Sequence, residues 1–305
     1  MADVTLSNQD FLNRVFIEQK ILEITNPLLD YAGILPAVRA DAKSVKFKKE
    51  TVSPSSDTKK KVARRLTENT KYTYVEFTDL SVDSAILTPS GFAMRVSRDA
   101  VRFAEGVDEI QRGLNRIGYW LAEDINTKIA SKIQVEAAGP TTALGTPTVW
   151  SAAGANPVID LLNMEDDMVQ IGYPYRLTDV YLHKTNYRQL LAYMLTVDAK
   201  FGTGDRNNNI GANSFSIPAL NGITCRRVDS GMAASNIMGL DRNNPAGTFY
   251  YNLDPKYSSD NVEGLYFNVN LFENEGGETT EIRVWADWDV AVMEPKAAIY
   301  GISKI

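Results

Sequence analysis

The 305-residue sequence has few of the residues from which metal centres and nucleophilic sites are built. It contains one cysteine, Cys225, and one histidine, His183. A single cysteine excludes an intramolecular disulfide and indicates a reducing compartment. A single histidine argues against zinc and Ser-His-Asp chemistry. The sequence has no run of eighteen apolar residues, so no membrane span is expected, and the beginning Met1-Ala2-Asp3-Val4 lacks the pattern of a signal peptide.

Positive charge is outnumbered overall, with 32 Lys or Arg against 38 Asp or Glu. The formal net charge is −6, which argues against a general affinity for nucleic acid. From Arg39 to Lys71, however, eleven Lys or Arg face four Asp or Glu, a net of +7, so the remainder carries −13. A chain divided in this way can attract copies of itself. With 44% hydrophobic residues it can bury a core, in two or more subdomains.

The stretch from Ser97 to Glu136 predicts a long amphipathic helix. Ser97 is a suitable N-cap, and Gly106 divides the stretch into a short lead-in and a long helix from about Val107. At 1.5 Å per residue the long part is a rod of roughly 45 Å, which is typical of an extended protein. The apolar stripe has helical spacing and consists of Phe103, Val107, Ile110, Leu114, Ile117, Leu121, Ile125, Ile129 and Ile133.

The part before this helix predicts an N-terminal helix and a basic hairpin. The helix follows Ser7-Asn8-Gln9-Asp10 and ends near Asn26-Pro27. It packs either on its own domain or, as an arm, on a neighbouring subunit. The strands Val45 to Val52 and Tyr72 to Leu80 flank a polar segment that is either a projecting hairpin or a solvated loop. Its basic residues are Lys59, Lys60, Lys61, Arg64 and Arg65.

Alternating helices and strands are predicted for the second half. The helices run from Pro157 to Ile171, behind an Asn156 cap, and from Thr185 to Leu195. The strands run from Arg176 to Leu182, from Leu265 to Leu271 and from Ile282 to Val292, with a surface loop over 202–216. Asp287 and Asp289 lie on the polar face of the last strand, but no partner histidine or glycine-rich cradle supports acid–base or nucleotide chemistry.

Two sequence runs, together with this order of parts, resemble a known family. The first is Met194-Leu195-Thr196-Val197-Asp198-Ala199-Lys200, followed after a polar loop by Leu220-Asn221-Gly222-Ile223-Thr224. The second is Val290-Ala291-Val292-Met293-Glu294-Pro295-Lys296-Ala297-Ala298-Ile299-Tyr300-Gly301. Both are similar to segments of the major capsid proteins of tailed phages and related archaeal viruses, which have the Hong Kong 97-type fold.

The resemblance implies an α+β fold with the parts of that family. The long helix would be the spine of a peripheral (P) domain, and the basic hairpin would be an extended loop (E-loop) that lies over an adjacent subunit. The implied divisions are an N-terminal arm over 1–40, the E-loop over 41–82, the P-domain over 83–140, an α/β A-domain over 141–262, and returning strands over 263–305.

The function implied by the resemblance is that of a structural protein rather than an enzyme. The chain would form the hexamers and pentamers of an icosahedral virus head that encloses double-stranded DNA without sequence-specific binding, assembling in the host cytoplasm and residing in the virion. Its main partner would be itself, with a scaffold, portal or decoration protein as a further partner, and no membrane, metal or cofactor is expected. An encapsulin-like compartment shell is the alternative, and a nucleotide-using α/β enzyme is the third hypothesis.

Charge suggests where the hairpin binds. The five basic residues between Lys59 and Arg65 are predicted to dock on acidic surface of adjacent subunits, at Glu123, Asp124, Asp287 and Asp289. The resemblance also allows a covalent link from a hairpin lysine to Asn268 or Asn270, but no sequence feature favours it.

Overall fold

Thirteen stretches of the chain are described by the structure, a computed structural model. They are 13–31, 34–50, 80–97, 105–137, 150, 154–171, 175–201, 214–217, 222–228, 231–232, 236–259, 262–273 and 279–302.

These residues form four α-helices and twelve β-strands. The helices are α1 (Arg14–Thr25), α2 (Glu105–Glu136), α3 (Pro157–Ile171) and α4 (Lys184–Phe201). The strands are β1 (Ala37–Arg39), β2 (Ser44–Glu50), β3 (Leu80–Ile86), β4 (Thr88–Ser97), β5 (Asp179–His183), β6 (Ser214–Ile217), β7 (Ile223–Val228), β8 (Asn236–Leu240), β9 (Gly247–Asn252), β10 (Asn268–Glu273), β11 (Thr279–Val292) and β12 (Ala298–Ile302).

The chain divides into two compact units, each assembled from separate parts of the sequence. The first unit comprises Met1–Val45, Ser84–Lys132 and Thr248–Ala291. The second comprises Lys46–Asp83, Ile133–Gly247 and Val292–Ile305. Strands β2 and β3 pair with each other as a two-stranded ribbon.

The first unit contains a five-stranded sheet built around β11. Its strand order is β1-β9-β11-β10, with β4 paired to β11. β4 and β10 are antiparallel to β11, and β1 is parallel to β9. The predicted alternation of β11 is confirmed, because Ile282, Val284, Ala286, Trp288, Val290 and Val292 are all buried. At Gly91 of β4 only glycine fits, since a Cβ would lie 2.4 Å from the Val284 carbonyl oxygen of β11.

Helix α2 confirms the predicted apolar stripe. The members of the stripe whose side chains are described, from Ile110 to Ile133, are at most 5% exposed. The helix begins at Glu105, two residues before the predicted start. Helix α1 packs against it at Gly118, where a Cβ atom would lie 2.7 Å from Ile24 Cγ2. Ser97, the predicted N-cap, is the last residue of β4 and pairs with Thr279 of β11. The lead-in that it would cap, over 98–104, lies outside the described residues, so the capping stays a prediction.

The second unit contains another five-stranded sheet, in the order β12-β8-β5-β7-β6. β5 is parallel to β7 and antiparallel to β8, and β8 is antiparallel to β12. Its central strand is buried from Asp179 to Leu182, with Val180, Tyr181 and Leu182 at 0% exposure. Helix α3 begins and ends where predicted: Asn156 Oδ1 accepts a hydrogen bond from Ile159 N at 3.3 Å, and Pro157 follows at the first helical position.

Other predicted boundaries shift. Helix α1 is capped by Asn13, and the predicted cap at 7–10 lies outside the described residues. Helix α4 continues to Phe201 rather than ending at Leu195. Strand β5 begins three residues later than expected, at Asp179, and the predicted strand from Leu265 begins only at Asn268. The end of the predicted 202–216 loop belongs to β6.

Candidate assembly surface

A shallow groove on the first unit combines aromatic rings with carboxylates. It has a volume of about 470 Å³ and is lined by Phe92, Trp120, Glu123, Asp124 and Thr127. The rings of Phe92, on β4, and Trp120, on α2, have centroids 5.5 Å apart at 43°. Trp120 keeps 45% of its surface exposed. Such a groove suits a long cationic side chain, whose aliphatic stem covers the rings while its charge meets the carboxylates.

The two carboxylates of this groove differ in their freedom to bind a partner. Glu123 is exposed, and the described residues offer it no hydrogen bond or ion pair. Asp124 is half-buried and accepts a hydrogen bond from Ser90 Oγ on β4 at 2.5 Å. Glu123 is therefore the freer of the two. The sequence identified both residues, but it did not identify Phe92 and Trp120, because their proximity depends on packing between elements far apart in the chain.

Asp289 is not on an exposed strand face, contrary to the sequence-based expectation. Its exposure is 4%, and its Oδ2 accepts a hydrogen bond from the Ile86 backbone N at 3.0 Å. Its Oδ1 lies 3.9 Å from Lys128 Nζ and 3.8 Å from Lys132 Nζ, both on α2. The negative charge of Asp289 is thus already balanced by two lysines of its own unit, which disfavours this residue as a docking point for a neighbour.

Lys128 explains why this part of β11 is covered. Its Nζ donates to Thr88 Oγ1 at 2.9 Å and to the Trp288 carbonyl oxygen at 3.3 Å. It also lies 4.6 Å from the centroid of the Trp288 ring. One lysine of α2 therefore connects the helix to both β4 and β11.

Asp287, two residues before Asp289, is only half-buried and makes no ion pair with another described residue.

The basic hairpin residues Lys59, Lys60, Lys61, Arg64 and Arg65 lie outside the described residues, so their docking on the acidic surface stays a prediction. The ribbon of β2 and β3 that leads to them is described. At the last two residues of β2, Lys49 forms an ion pair with Glu136 of α2, and the Glu50 backbone N donates to the Met293 carbonyl oxygen at 2.8 Å.

The carboxylates of Glu50 and Glu294 influence each other at this end of β2. Burial, followed by the negative charge of Glu50, raises the pKa of Glu294, while a hydrogen bond with Tyr175 opposes the shift.

Asn268, one of the two asparagines named above for a covalent link, is 0% exposed, and its Oδ1 accepts a hydrogen bond from Asp254 N at 2.9 Å. A neighbouring lysine could not reach it without unfolding the site.

The part of the chain that the structure describes contains neither a metal centre nor a membrane span. No group of three or more His, Cys, Asp or Glu is placed there to hold a metal ion. No helix among the same residues is both long and apolar enough to cross a membrane.

The sequence matches the phage capsid protein family over residues 83–301, well over half of its length. The chain belongs to this family. No curated protein matches the sequence. The family makes the chain a structural protein of the capsid shell, and the predicted α+β fold of the Hong Kong 97 type is confirmed by the solved structures that share it.

Three of those structures show the range of proteins with this fold. A phage-related protein from Bordetella bronchiseptica RB50 has 12% sequence identity and a TM-score of 0.62, with 95% of this chain and 97% of that chain covered. The capsid of Cyanophage P-SCSP1u has 14% identity, a TM-score of 0.53, and coverage of 88% and 86%. The holo-SrpI encapsulin complex from Synechococcus elongatus PCC 7942 has 12% identity, a TM-score of 0.56, and coverage of 92% and 89%.

Proposed function

We propose that this chain is the major capsid protein of a virus with a double-stranded DNA genome, and that it assembles into the hexamers and pentamers of an icosahedral head. The family match over residues 83–301 carries this proposal. The structural likeness to a cyanophage capsid supports it, since the likeness covers 88% of this chain and 86% of that chain. In this proposal, 41–82 is the extended loop and 1–40 the N-terminal arm of the subunit.

A compartment shell that encloses a protein cargo is the second candidate. It is favoured by one observation, the likeness to the SrpI encapsulin complex, with a TM-score close to that of the phage capsid. The fold alone therefore does not distinguish a shell that encloses a genome from one that encloses a protein cargo. The contents of the particle must be measured.

Electron microscopy and extraction of native particles separate the two candidates. Particles should be isolated with their contents, treated with nuclease, and examined by negative stain and after extraction. We expect closed icosahedral shells that protect DNA of uniform length. Shells that hold a second protein and no protected DNA would support the compartment instead. A chain that stays monomeric at high concentration and moderate salt would contradict both candidates.

The proposal extends to the contact that closes the shell. Lys59, Lys60, Lys61, Arg64 and Arg65 dock on the acidic surface of an adjacent subunit. The groove of Phe92, Trp120 and Glu123 supports this contact because Glu123 has no partner among the described residues and the exposed Trp120 ring can cover the stem of a basic side chain. Asp287, which is half-exposed, offers a second carboxylate for docking.

Charge reversal tests this contact. The double change of Arg64→Glu and Arg65→Glu should block assembly while the subunit stays folded, because the hairpin then repels the acidic surface. The matched control reverses Lys184 and Arg188, two exposed residues of α4, and changes the net charge equally. Glu123→Lys in the partner should restore part of the assembly. If the hairpin variant builds normal particles that release DNA more easily, the hairpin faces the genome and the docking proposal fails.

A further inference from the structure

The first unit contains a largely apolar cavity, apart from the candidate assembly surface. It has a volume of about 220 Å³ and opens among α2, strand β9 and the segment that follows α1. Its wall includes Tyr31, Phe249, Tyr251 and Tyr266, together with Ile125 and Ile129 from α2. Protein interiors rarely leave a void much larger than a water molecule, and an apolar cavity of about 150 Å³ is enough to bind benzene.

The wall offers little to a charged ligand. None of the described residues that line the cavity carries a formal charge. Asn126, which is 1% exposed, uses its amide within the chain: its Nδ2 donates to the Leu28 carbonyl oxygen at 2.8 Å, and its Oδ1 accepts from Asp30 N at 3.1 Å. Burying an ion here without a partner would cost far more than contact with the rings could return.

A second polar group of the wall is also satisfied from within. The Tyr266 hydroxyl forms a 2.6 Å hydrogen bond with Thr25 Oγ1, at the end of α1. Burial raises the pKa of Tyr266 to about 12, so the phenol stays neutral at any ordinary pH. The Tyr266 ring also meets Phe267 edge-on, with centroids 5.3 Å apart. This part of the wall is therefore held in place by its own contacts and presents a rigid aromatic surface.

We propose that this cavity is a binding site for a small, uncharged, mainly aromatic molecule, larger than benzene and about the size of two fused rings. The volume sets the size, the four aromatic side chains favour a flat ligand, and the absence of charge from the described lining excludes ions. A bound molecule contacts α2, β9 and the segment after α1 together. It therefore stabilises the folded first unit by mass action.

Indole is a suitable probe because it is flat, uncharged and soluble. Its binding can be followed by saturation-transfer NMR and by the melting temperature of the full chain, in unassembled subunits or in particles. We expect saturable binding and a melting temperature that rises with indole concentration. Benzamidinium, a flat cation, should produce neither effect. Because the cavity lies within one unit, this result does not depend on whether the chain forms a virus head or a compartment.

Variants of Ile129 give opposite effects at one position. Ile129→Phe fills the cavity and should weaken indole binding at least about tenfold, whereas Ile129→Ala enlarges the cavity and should preserve binding. If Ile129→Phe does not fold, Ile125→Phe fills the same cavity from one helical turn earlier. Equal binding by the wild type and a folded filling variant would overturn the proposal, and so would the absence of saturable binding in the wild type. It would also fail if indole bound only after deletion of residues 1–12, because the occupant would then be the chain itself.

Discussion

The buried face of α2 gives the most direct test of the fold. Leu121 lies on this face and is 0% exposed. Leu121→Ala removes three carbon groups, and at roughly 0.8 kcal/mol each their transfer to water accounts for about 2.4 kcal/mol. The cavity left behind adds a further cost that depends on how far the neighbours relax. We therefore expect the free energy of unfolding to fall by about 2.5–5 kcal/mol.

Urea denaturation of unassembled subunits, followed by far-UV circular dichroism, measures this loss without the stability that assembly adds. The control is Glu123→Ala, two residues further along the same helix, where the side chain is exposed and has no described partner. The control should change the free energy of unfolding by no more than about 0.5 kcal/mol. A loss of less than about 1 kcal/mol for Leu121→Ala would refute the assignment of this face to the core.

Three further predictions concern single residues. Burial raises the pKa of Glu18 and outweighs the opposing charge of Arg14, so Glu18 destabilises the fold as pH rises through its raised pKa. The melting temperature of Glu18→Gln should therefore exceed that of the wild type at pH 8. The difference should vanish below about pH 4.5, where the carboxyl is protonated in both the folded and the unfolded state. Gly91→Ala should lower soluble yield and melting temperature sharply, because its Cβ would meet the backbone of β11 at 2.4 Å, and wild-type stability would contradict the strand register. The thiol of Cys225, with 0% exposure and a pKa raised by burial to about 12, should react with Ellman's reagent only after unfolding, and rapid native reaction would contradict its placement.

The elements that the sequence predicted well are those whose signal is local and complete. The stripe of α2 and the alternation of β11 each mark one buried face, and a period of 3.6 or 2 residues identifies that face without knowledge of its partner. Helix α3 was located to the residue because Asn156 and Pro157 determine its start by local chemistry alone.

The errors came from positions where a distant element decides. The prediction for Ser97 overlooked its pairing with Thr279 at the end of β4, because β11 lies far along the chain. Asp289 alternates with apolar residues and so resembled an exposed residue, but Lys128 and Lys132 cover it from a helix about 160 residues earlier. Periodicity assigns a residue to one face of its own strand, and it does not reveal whether a second layer covers the other face.

The groove of Phe92 and Trp120 also depends on tertiary packing, and it changes how the assembly contact should respond to salt. An exposed ion pair is worth only about 0–1 kcal/mol and is screened over roughly 8–10 Å at ordinary ionic strength. A basic side chain that docks at half-exposed Asp287 alone would be weakened in this way. One that lies over Trp120, which is 45% exposed, also buries its aliphatic stem, and that contribution does not fall with salt. If the proposed docking contact withstands moderate salt, we infer that the groove at Glu123, rather than the face at Asp287, supplies most of its energy.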